Sequence, residues 1–219
     1  MSTILKNSLM GVVLVALSAA GIASLNNLLK SDTTSAAPEL KIGAPAPNFT
    51  ATDSNGKKHS LSDFKGKTVV LEWTNHECPF VKKHYETNNM QKLQKSATSQ
   101  GVIWLSVVSS APGKQGFVNG AKANELTKSR NASPTAVLLD PDGTLGKLYG
   151  ARTTPHMFVI APNGNLAYMG AIDDKPTANK DDVATAKNYV AEALSAIKAG
   201  KPVPTPTTQP YGCSVKYAN

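Results

Sequence analysis

The sequence predicts an α/β domain with a mixed central sheet, a β-hairpin at its N-terminal end and helices on both faces. Two apolar runs rich in β-branched residues, 68–73 and 101–108, are typical of buried central strands. A helix-like stretch separates these runs, and a second hairpin followed by an amphipathic stretch closes the domain. Strands and helices in such an order bury their apolar sides by packing helices onto a sheet.

The N-terminal hairpin is predicted from a turn signal between two short strand-like runs. The runs are NFTAT at 48–52 and KHSL at 58–61, and the turn between them contains Asn55 and Gly56. Asn-Gly readily adopts the positive φ angles of a tight hairpin turn. We therefore expect the two runs to pair as antiparallel strands.

The pattern changes from strand to helix at Pro79. Proline is favourable at the first position of a helix, because its missing N–H would have no partner there. Apolar residues then recur at a helical spacing, at Val81, Tyr85 and Leu93. We therefore expect a helix that begins directly after Cys78.

The second half of the domain repeats the alternation of helix and strand. A short polar helix at 121–130 and a strand at 135–140 precede a second hairpin, formed by HMFVI at 156–160 and NLAYMG at 165–170. The stretch 180–200 is predicted to be one amphipathic helix. Its apolar face consists of Val183, Ala186, Val190, Ala193, Leu194 and Ile197. The proline-rich remainder is predicted to be extended.

Length and charge limit the classes of function. The chain has 219 residues, which is enough for one domain with appendages. Its formal net charge is +8, but the lysines are spread along the chain, without an arginine-rich tract or an aromatic and basic RNA motif. We therefore expect no nucleic-acid partner.

The N-terminal region predicts export. Lys6 is followed by an apolar run of about 15 residues that ends in small residues, with Ala20 and Ala23 as candidate cleavage sites. The run is shorter than the roughly 20 residues of a spanning helix. The segments are predicted to be a signal peptide or N-terminal anchor, a linker, a redox domain and a proline-rich tail, at 1–23, 24–40, 41–199 and 200–219. We expect a periplasmic protein, or one anchored in the membrane and facing the periplasm.

The chain has two cysteines, Cys78 and Cys213. In an oxidising compartment two cysteines can form a structural disulfide. Cys78, however, lies at the start of a predicted helix, where free N–H groups favour a thiolate. Basic residues close in sequence are His76, Lys82, Lys83 and His84. We expect these groups to lower the pKa of Cys78, against the opposing charge of Glu77.

Three motifs in order resemble those of the peroxiredoxin-like redoxins, of the alkyl hydroperoxide reductase and thiol-specific antioxidant type, within the thioredoxin superfamily. The motifs are the opening at 43–73, NHECPFVKKHY at 75–85 and TTPHMFVIAPNGNLAYMGAIDD at 153–174. The resemblance spans residues 41–197. It implies a thioredoxin-like three-layer sandwich in which Cys78 is the reactive thiol and Pro155 is a cis-proline that faces it.

The same resemblance suggests roles for residues around Cys78. Typical members carry Thr or Ser three positions before the cysteine and Pro four positions before that. Here the two positions are Asn75 and Leu71, and Thr74 stands one place from the expected hydroxyl. Arg152 is the candidate for the peroxide-activating arginine. Pro79 is expected to hold the thiol exposed at the turn, and the Thr154 backbone to shape a groove for an incoming chain.

Thioredoxins pair the reactive cysteine with a second one in C-x-x-C, but the fourth position here is Val81. Three alternatives remain open for the partner of Cys78. Cys213 resolves the oxidised thiol from a flexible tail, an external thiol resolves it, or the two cysteines form a static bridge.

The sequence thus predicts an exported thiol-dependent oxidoreductase. Cys78 would attack a small peroxide or a disulfide, Cys213 would resolve it, and an external thiol reductant would reset the pair. One alternative is a thiol–disulfide oxidoreductase without peroxidase activity. Another is a periplasmic copper chaperone with His76, Cys78, His84 and His156 as candidate ligands. A third is a non-catalytic binding module. No nucleotide motif is present, so neither a metal nor a nucleotide cofactor is expected.

Overall fold

A computed structural model describes residues 40–218 of the chain. The predicted signal peptide or anchor at 1–23 and all but the last residue of the predicted linker lie outside the described residues. Within 40–218, none of the helices combines the length and the apolar character that crossing a membrane requires.

The described chain forms nine strands, five α-helices and two short 3-10 helices. The strands are β1 (Thr50–Asp53), β2 (Lys58–Ser60), β3 (Val69–Trp73), β4 (Ile103–Val108), β5 (Ala136–Leu139), β6 (Thr153–Thr154), β7 (His156–Ile160), β8 (Leu166–Gly170) and β9 (Cys213–Ser214). The α-helices are α1 (Pro79–Glu86), α2 (Asn89–Ser99), α3 (Gly120–Ser129), α4 (Thr144–Leu148) and α5 (Tyr189–Lys198). The 3-10 helices are Leu61–Phe64 and Asp181–Ala184.

Seven strands form a central mixed sheet in the order β2-β1-β5-β4-β3-β7-β8. β3 pairs in parallel with β4, and β4 with β5, whereas β7 runs antiparallel to β3 and β8. β1 and β2 form the predicted N-terminal hairpin, in which Ala51 lies opposite His59. The predicted class, an α/β domain with a mixed sheet, is confirmed.

The two faces of the sheet are covered unequally. Residues of α1, α2 and α5 pack on one face, around Val70, Trp104 and Val159, and α3 packs beside them on Val137. On the other face lie α4, the first 3-10 helix and residues 40–49, which precede β1. Every residue of β3 is buried, as the continuous apolar run predicts for a strand covered on both faces.

The helical spacing that begins at Val81 does not form one continuous helix. α1 ends at Glu86, and Asn88 adopts a left-handed conformation (φ 60°) before α2 begins. Asparagine tolerates this conformation better than most residues. The break turns α2 so that Met90 and Ala97 pack into the same core as Val81.

The predicted helix at 180–200 is wrong in its first half. The chain forms a 3-10 helix at Asp181–Ala184 and then opens, and α5 begins only at Tyr189. The backbone of Lys187 instead bonds to Asp174, through its N–H (2.8 Å to Oδ1) and its carbonyl (3.2 Å to N). Asn188 then caps α5, its side chain accepting a bond from the Ala191 N–H at 2.9 Å. Backbone bonds to Asp174, a residue outside the predicted helix, therefore outweigh the apolar periodicity.

The proline-rich tail is extended, as predicted, but it is docked along the domain. We call residues 206–217 the C-terminal strap. It runs beside β8 through a bridge between Met169 and Thr207, and its strand β9 pairs antiparallel with β6. Near its end, the carbonyl of Lys216 accepts a bond from the Ala111 N–H at 2.8 Å. The tail that contains Cys213 was expected to be flexible, but in the structure it is bound to the domain.

Candidate active site

Cys78 lies at the junction of β3 and α1. It occupies the N-cap of α1, and Pro79 stands at the first helical position, as predicted. The thiol is nevertheless fully buried, whereas Pro79 was expected to hold it exposed. That expectation is wrong because the strap covers the site: Tyr211 and Cys213 pack against the apolar cluster that contains Cys78.

Thr154 joins the two cysteines. Its carbonyl oxygen accepts a hydrogen bond from the Cys78 thiol at 3.1 Å. Its backbone also pairs with that of Cys213, which lies directly opposite in the β6–β9 ladder. The peptide bond between Thr154 and Pro155 is cis, as the resemblance implies. The residues predicted to shape a groove beside Cys78 therefore already hold a strand, and that strand belongs to the chain itself.

The two cysteines are free thiols; Cys213 packs against the apolar cluster that contains Cys78, and each thiol affects the pKa of the other. The structure thus brings Cys78 and Cys213 together without a bond between the sulfurs. Cys213 is half-buried and Cys78 fully buried. Two adjacent thiols can be oxidised to a disulfide and reduced again by thiol–disulfide exchange.

The neighbouring groups separate the pKa values of the two thiols. Burial by itself would raise the pKa of Cys78, but hydrogen bonds from the Cys213 thiol and the backbone N–H of Val81 outweigh it, and this pKa lies below its ordinary value. Burial, together with the hydrogen bond and the charge of Cys78, raises the pKa of Cys213 to about 11. Of the two thiols, Cys78 therefore forms a thiolate more readily.

The predicted source of this lowered pKa is wrong in part. The Val81 N–H belongs to the first turn of α1, so the helix start contributes as expected. The basic side chains close in sequence do not supply the rest. Lys83 and His84 are buried and bonded to other groups, and burial lowers the pKa of His84 to about 4. Burial also lowers the pKa of His76, and this effect is larger than the opposing effect of the negative charge of Glu77, which raises it.

Asn75 organises the loop before Cys78, and its side chain is hydrogen-bonded to groups other than the thiol. Its Oδ1 accepts a bond from the Glu77 N–H at 2.9 Å, and its Nδ2 donates to the carbonyl of Gln115 at 3.3 Å. Gly116 donates its N–H to the Glu77 carboxylate at 2.7 Å. A side chain at position 116 would overlap the Asn75 side chain, so glycine leaves the room that Asn75 occupies. Thr74 is buried, and its hydroxyl has no hydrogen-bond partner.

Among the described residues, the Cys78 thiol is hydrogen-bonded to Thr154 and not to Arg152, the candidate for a peroxide-activating arginine. The backbone N–H of Arg152 donates to Nδ1 of His156 at 3.3 Å, and its backbone carbonyl accepts a bond from the N–H of the strap residue Val215 at 3.0 Å. Burial, with a further contribution from the charge of Arg152, lowers the pKa of His156 to about 3. Arg130 instead donates to the carbonyl of His76 at 3.1 Å. Within 40–218, no guanidinium is hydrogen-bonded to Cys78.

A buried polar network beside the two thiols was not predicted. Lys83 and Asp173 lie 3.5 Å apart, and the Tyr211 hydroxyl donates to the other oxygen of the Asp173 carboxylate. The Lys83 ammonium also donates to the carbonyl of Lys175 at 2.7 Å and to the Tyr211 hydroxyl at 3.3 Å. No motif in the sequence indicates this network, because its members come from distant parts of the chain.

Three of the four candidate copper ligands, Cys78, His84 and His156, already have protein partners. His84 is bonded to Asn89 at 2.9 Å and to Tyr211 at 3.3 Å, and His156 accepts the bond from Arg152. In the described part of the chain, no group of three or more His, Cys, Asp or Glu side chains is arranged to hold a metal ion.

The mixed sheet, the thiol at the start of α1 and the cis-proline beside it define a class of protein, the thioredoxin-like redox proteins. Comparison with known proteins agrees with this class. The model of the AhpC/TSA family matches residues 42–169, which is more than half of the chain. The chain therefore belongs to the AhpC/TSA family of thioredoxin-like redox enzymes.

Curated relatives carry the name thiol-disulfide oxidoreductase ResA. The protein from Bacillus subtilis is 29% identical over 158 residues, which cover 71% of this chain and 79% of that protein. The protein from Bacillus thuringiensis subsp. konkukian is 30% identical over 128 residues, which cover 58% of this chain and 68% of that protein.

Solved structures confirm the fold. A hypothetical protein from Sinorhizobium meliloti superposes with a TM-score of 0.69 at 22% identity, over 82% of this chain and 96% of that one. A protein from Chlorobium tepidum, assigned as thiol:disulfide interchange protein DsbE, superposes with a TM-score of 0.53 at 22% identity, over 72% of this chain and 98% of that one. At these identities the likeness shows the thioredoxin-like fold alone.

Proposed function

We propose that the protein is an exported thiol–disulfide oxidoreductase in which Cys78 is the nucleophile and Cys213 of the same chain resolves the mixed disulfide. The observation that carries the proposal is the placement of both free thiols against Thr154, with Cys213 packed on the apolar cluster that contains Cys78. The names of the curated relatives support the same reaction.

The reaction runs in two exchange steps. The Cys78 thiolate attacks one sulfur of a substrate disulfide, forms a mixed disulfide and releases the other half as a thiolate. Cys213 then loses its proton and attacks the Cys78 sulfur, which forms the Cys78–Cys213 disulfide and releases the second half of the substrate. Two electrons have passed from the protein to the substrate. An external thiol reductant returns the pair to its reduced form by the same chemistry.

The difference in pKa suits the order of these steps. Cys78 has the lower pKa of the pair, so it ionises first and reacts first. Part of the raised pKa of Cys213 comes from the charge and the hydrogen bond of Cys78. Both effects end when the Cys78 sulfur enters a mixed disulfide and loses its charge. Cys213 then becomes easier to ionise at the moment when it must attack.

Peroxide reduction is the second candidate, and the family match favours it. In that case Cys78 would attack a peroxide oxygen to give a sulfenic acid and an alcohol or water, and Cys213 would condense with the sulfenic acid to give the same disulfide and water. The partners of the Cys78 thiol argue for disulfide exchange as the main reaction, because among the described residues the thiol is bonded to Thr154 and the Arg130 guanidinium is bonded to the carbonyl of His76.

Export is part of the proposal because the apolar run after Lys6 has the layout of a signal peptide or anchor. An exported thiol pair would work in an oxidising compartment, where its reductant must be supplied from outside the protein.

The proposal is tested with the fully reduced chain, mixed separately with glutathione disulfide and with hydrogen peroxide. Fluorescence of the two tryptophans, of which Trp73 ends the strand before the site, follows the reaction, and mass spectrometry identifies the products. We expect rapid exchange with glutathione disulfide and a Cys78–Cys213 disulfide as the product.

Two variants assign the steps. Cys213→Ser should accumulate a glutathione adduct on Cys78, and Cys78→Ser should not react at a comparable rate. A fast peroxide reaction that leaves a sulfenic acid in Cys213→Ser would make the protein a peroxidase. Failure of the wild-type chain to form any Cys78–Cys213 disulfide would exclude both versions of the cycle.

A further inference from the structure

Tyr211 docks the strap onto the helix that begins at the nucleophile. Its ring packs edge-on against Phe80, with 5.9 Å between the ring centroids, and the Lys83 ammonium lies 5.3 Å from its centroid. Phe80 and Lys83 both belong to α1, whose N-cap is Cys78. The same helix therefore presents the reactive thiol and the surface on which the strap rests.

The hydroxyl of Tyr211 completes a buried charge pair. The side chains of Lys83 and Asp173 are 0% and 1% exposed, which would be costly without further hydrogen bonds. One oxygen of the carboxylate accepts the Tyr211 hydroxyl, and the other has Lys83 at 3.5 Å as its ionic partner. When Tyr211 leaves, this pair loses a bond. The network therefore favours the docked state of the strap.

The chain between Tyr211 and Cys213 leaves little freedom. Only Gly212 lies between them, at φ 135°, and an added Cβ there would overlap the carbonyl oxygen of Thr154. That oxygen is the acceptor of the Cys78 thiol. With Tyr211 seated in the network and Gly212 pressed against Thr154, Cys213 is delivered to Cys78.

We propose that Tyr211 is the positioning residue for Cys213: its hydroxyl, seated on Lys83 and Asp173, sets the effective concentration of the second thiol at Cys78. The inference rests on the proposed function, in which Cys213 resolves Cys78. Tyr211 forms no bond with the substrate. Its effect is to replace a search by a mobile tail with a thiol that is already in place.

The test measures the equilibrium between the Cys78–Cys213 disulfide of the full-length chain and glutathione. In buffers of known thiol and disulfide content, the oxidised fraction gives the effective concentration of one thiol toward the other. We expect Tyr211→Ala to lower this concentration by roughly tenfold or more. Tyr211→Phe should lie between Tyr211→Ala and the wild type, because it keeps the ring contacts and loses the hydroxyl.

Tyr217→Phe is the matched control. Tyr217 also belongs to the strap, and its hydroxyl donates to the carbonyl of Ala151 at 2.7 Å, on the other side of Cys213. We expect this variant to stay within about twofold of the wild type. Circular dichroism and urea unfolding of the reduced proteins verify that each variant is folded. If Tyr211→Ala does not fold, the role of Tyr211 is tested by comparing the effective concentration measured for Tyr211→Phe with that for Tyr217→Phe.

The outcomes separate this inference from the proposed function. A wild-type chain that forms the disulfide, with Tyr211→Phe and Tyr217→Phe equal in effective concentration, would overturn the role of Tyr211 and leave the redox cycle intact. A folded Tyr211→Ala variant within about twofold of the wild type would do the same. A wild-type chain that forms no Cys78–Cys213 disulfide would overturn both.

Discussion

Gly212 passes so close to Thr154 that a methyl group in place of its hydrogen would overlap the Thr154 carbonyl oxygen. The residue lies at φ 135°, a conformation that other residues rarely adopt, at a cost of about 1–3 kcal/mol. Its neighbour Cys213 pairs with Thr154 in the β6–β9 ladder. The approach of the second thiol to the first therefore depends on a glycine at this position.

Replacement of that glycine should release the strap. We expect Gly212→Ala to displace the segment around Cys213 and to expose Cys78, which is fully buried in the wild type. Alkylation of the reduced protein by iodoacetamide, followed by peptide mapping, measures the reaction rate of Cys78. Gly200→Ala is the control, because Gly200 also has a positive φ but has open space around its Cβ position. Equal alkylation rates in the two variants would contradict the prediction.

The second thiol should keep the pKa of the first one low. Burial by itself raises the pKa of Cys78, and the hydrogen bond from Cys213 is the largest opposing effect. We therefore expect Cys213→Ala to raise the pKa of Cys78, so that its thiolate absorbance near 240 nm appears at higher pH than in the wild type. A titration midpoint that stays in place or falls would show that Cys213 does not stabilise the thiolate.

Glu72 should make the domain less stable as the pH rises. Burial raises the pKa of this carboxyl, although it accepts bonds from Tyr85 (2.7 Å), Gln94 (3.0 Å), Trp104 (2.8 Å) and Ser106 (2.9 Å). Because its pKa is higher in the folded than in the unfolded state, the folded state holds the extra proton, and stability is lost as pH rises from the ordinary Glu value through the raised one.

Glu72→Gln isolates this contribution, because glutamine has a similar shape and does not titrate. We expect the free energy of unfolding, from urea titrations at several pH values, to fall less steeply with rising pH in Glu72→Gln than in the wild type. Asp63→Asn, at an exposed carboxylate, serves as the control and should follow the wild type. Identical pH slopes for Glu72→Gln and the wild type would contradict the assignment.

The buried pair of Lys83 and Asp173 should be strongly coupled. Removal of one partner leaves an uncompensated charge in the core, which typically costs about 3–5 kcal/mol. We expect Lys83→Met and Asp173→Asn each to destabilise the reduced protein, and the double variant to lose less than the sum of the two. A double-mutant cycle from urea unfolding measures the difference. Additive losses would mean that the two side chains do not interact.

The sequence alone predicted the parts of the fold that short-range patterns encode. The hairpins, the buried run of β3 and the start of α1 at Pro79 follow from turn residues, β-branched runs and a proline, and the structure confirms each of them. The resemblance supplied the thioredoxin-like class and the cis bond at Pro155, which are also confirmed. The reactive role of Cys78 stays a prediction until its thiol chemistry is measured.

The strap and its network could not be predicted, because they depend on contacts between distant parts of the chain. Nothing in QPYGC indicates that Tyr211 meets Lys83 and Asp173, or that β9 completes a ladder with β6. The same reason explains the wrong helix at 180–200, where Asp174 supplies the backbone partner that opens the chain at Lys187.

The sequence by itself thus determined which residue is the candidate nucleophile, and the tertiary structure decided which group stands beside it. A cysteine before a helix-starting proline is placed at the N-terminus of the helix by its neighbours in the chain. The position of Cys213 is set by Thr154, Tyr211 and the buried charges that Tyr211 joins, and these come together only when the sheet and α1 have formed.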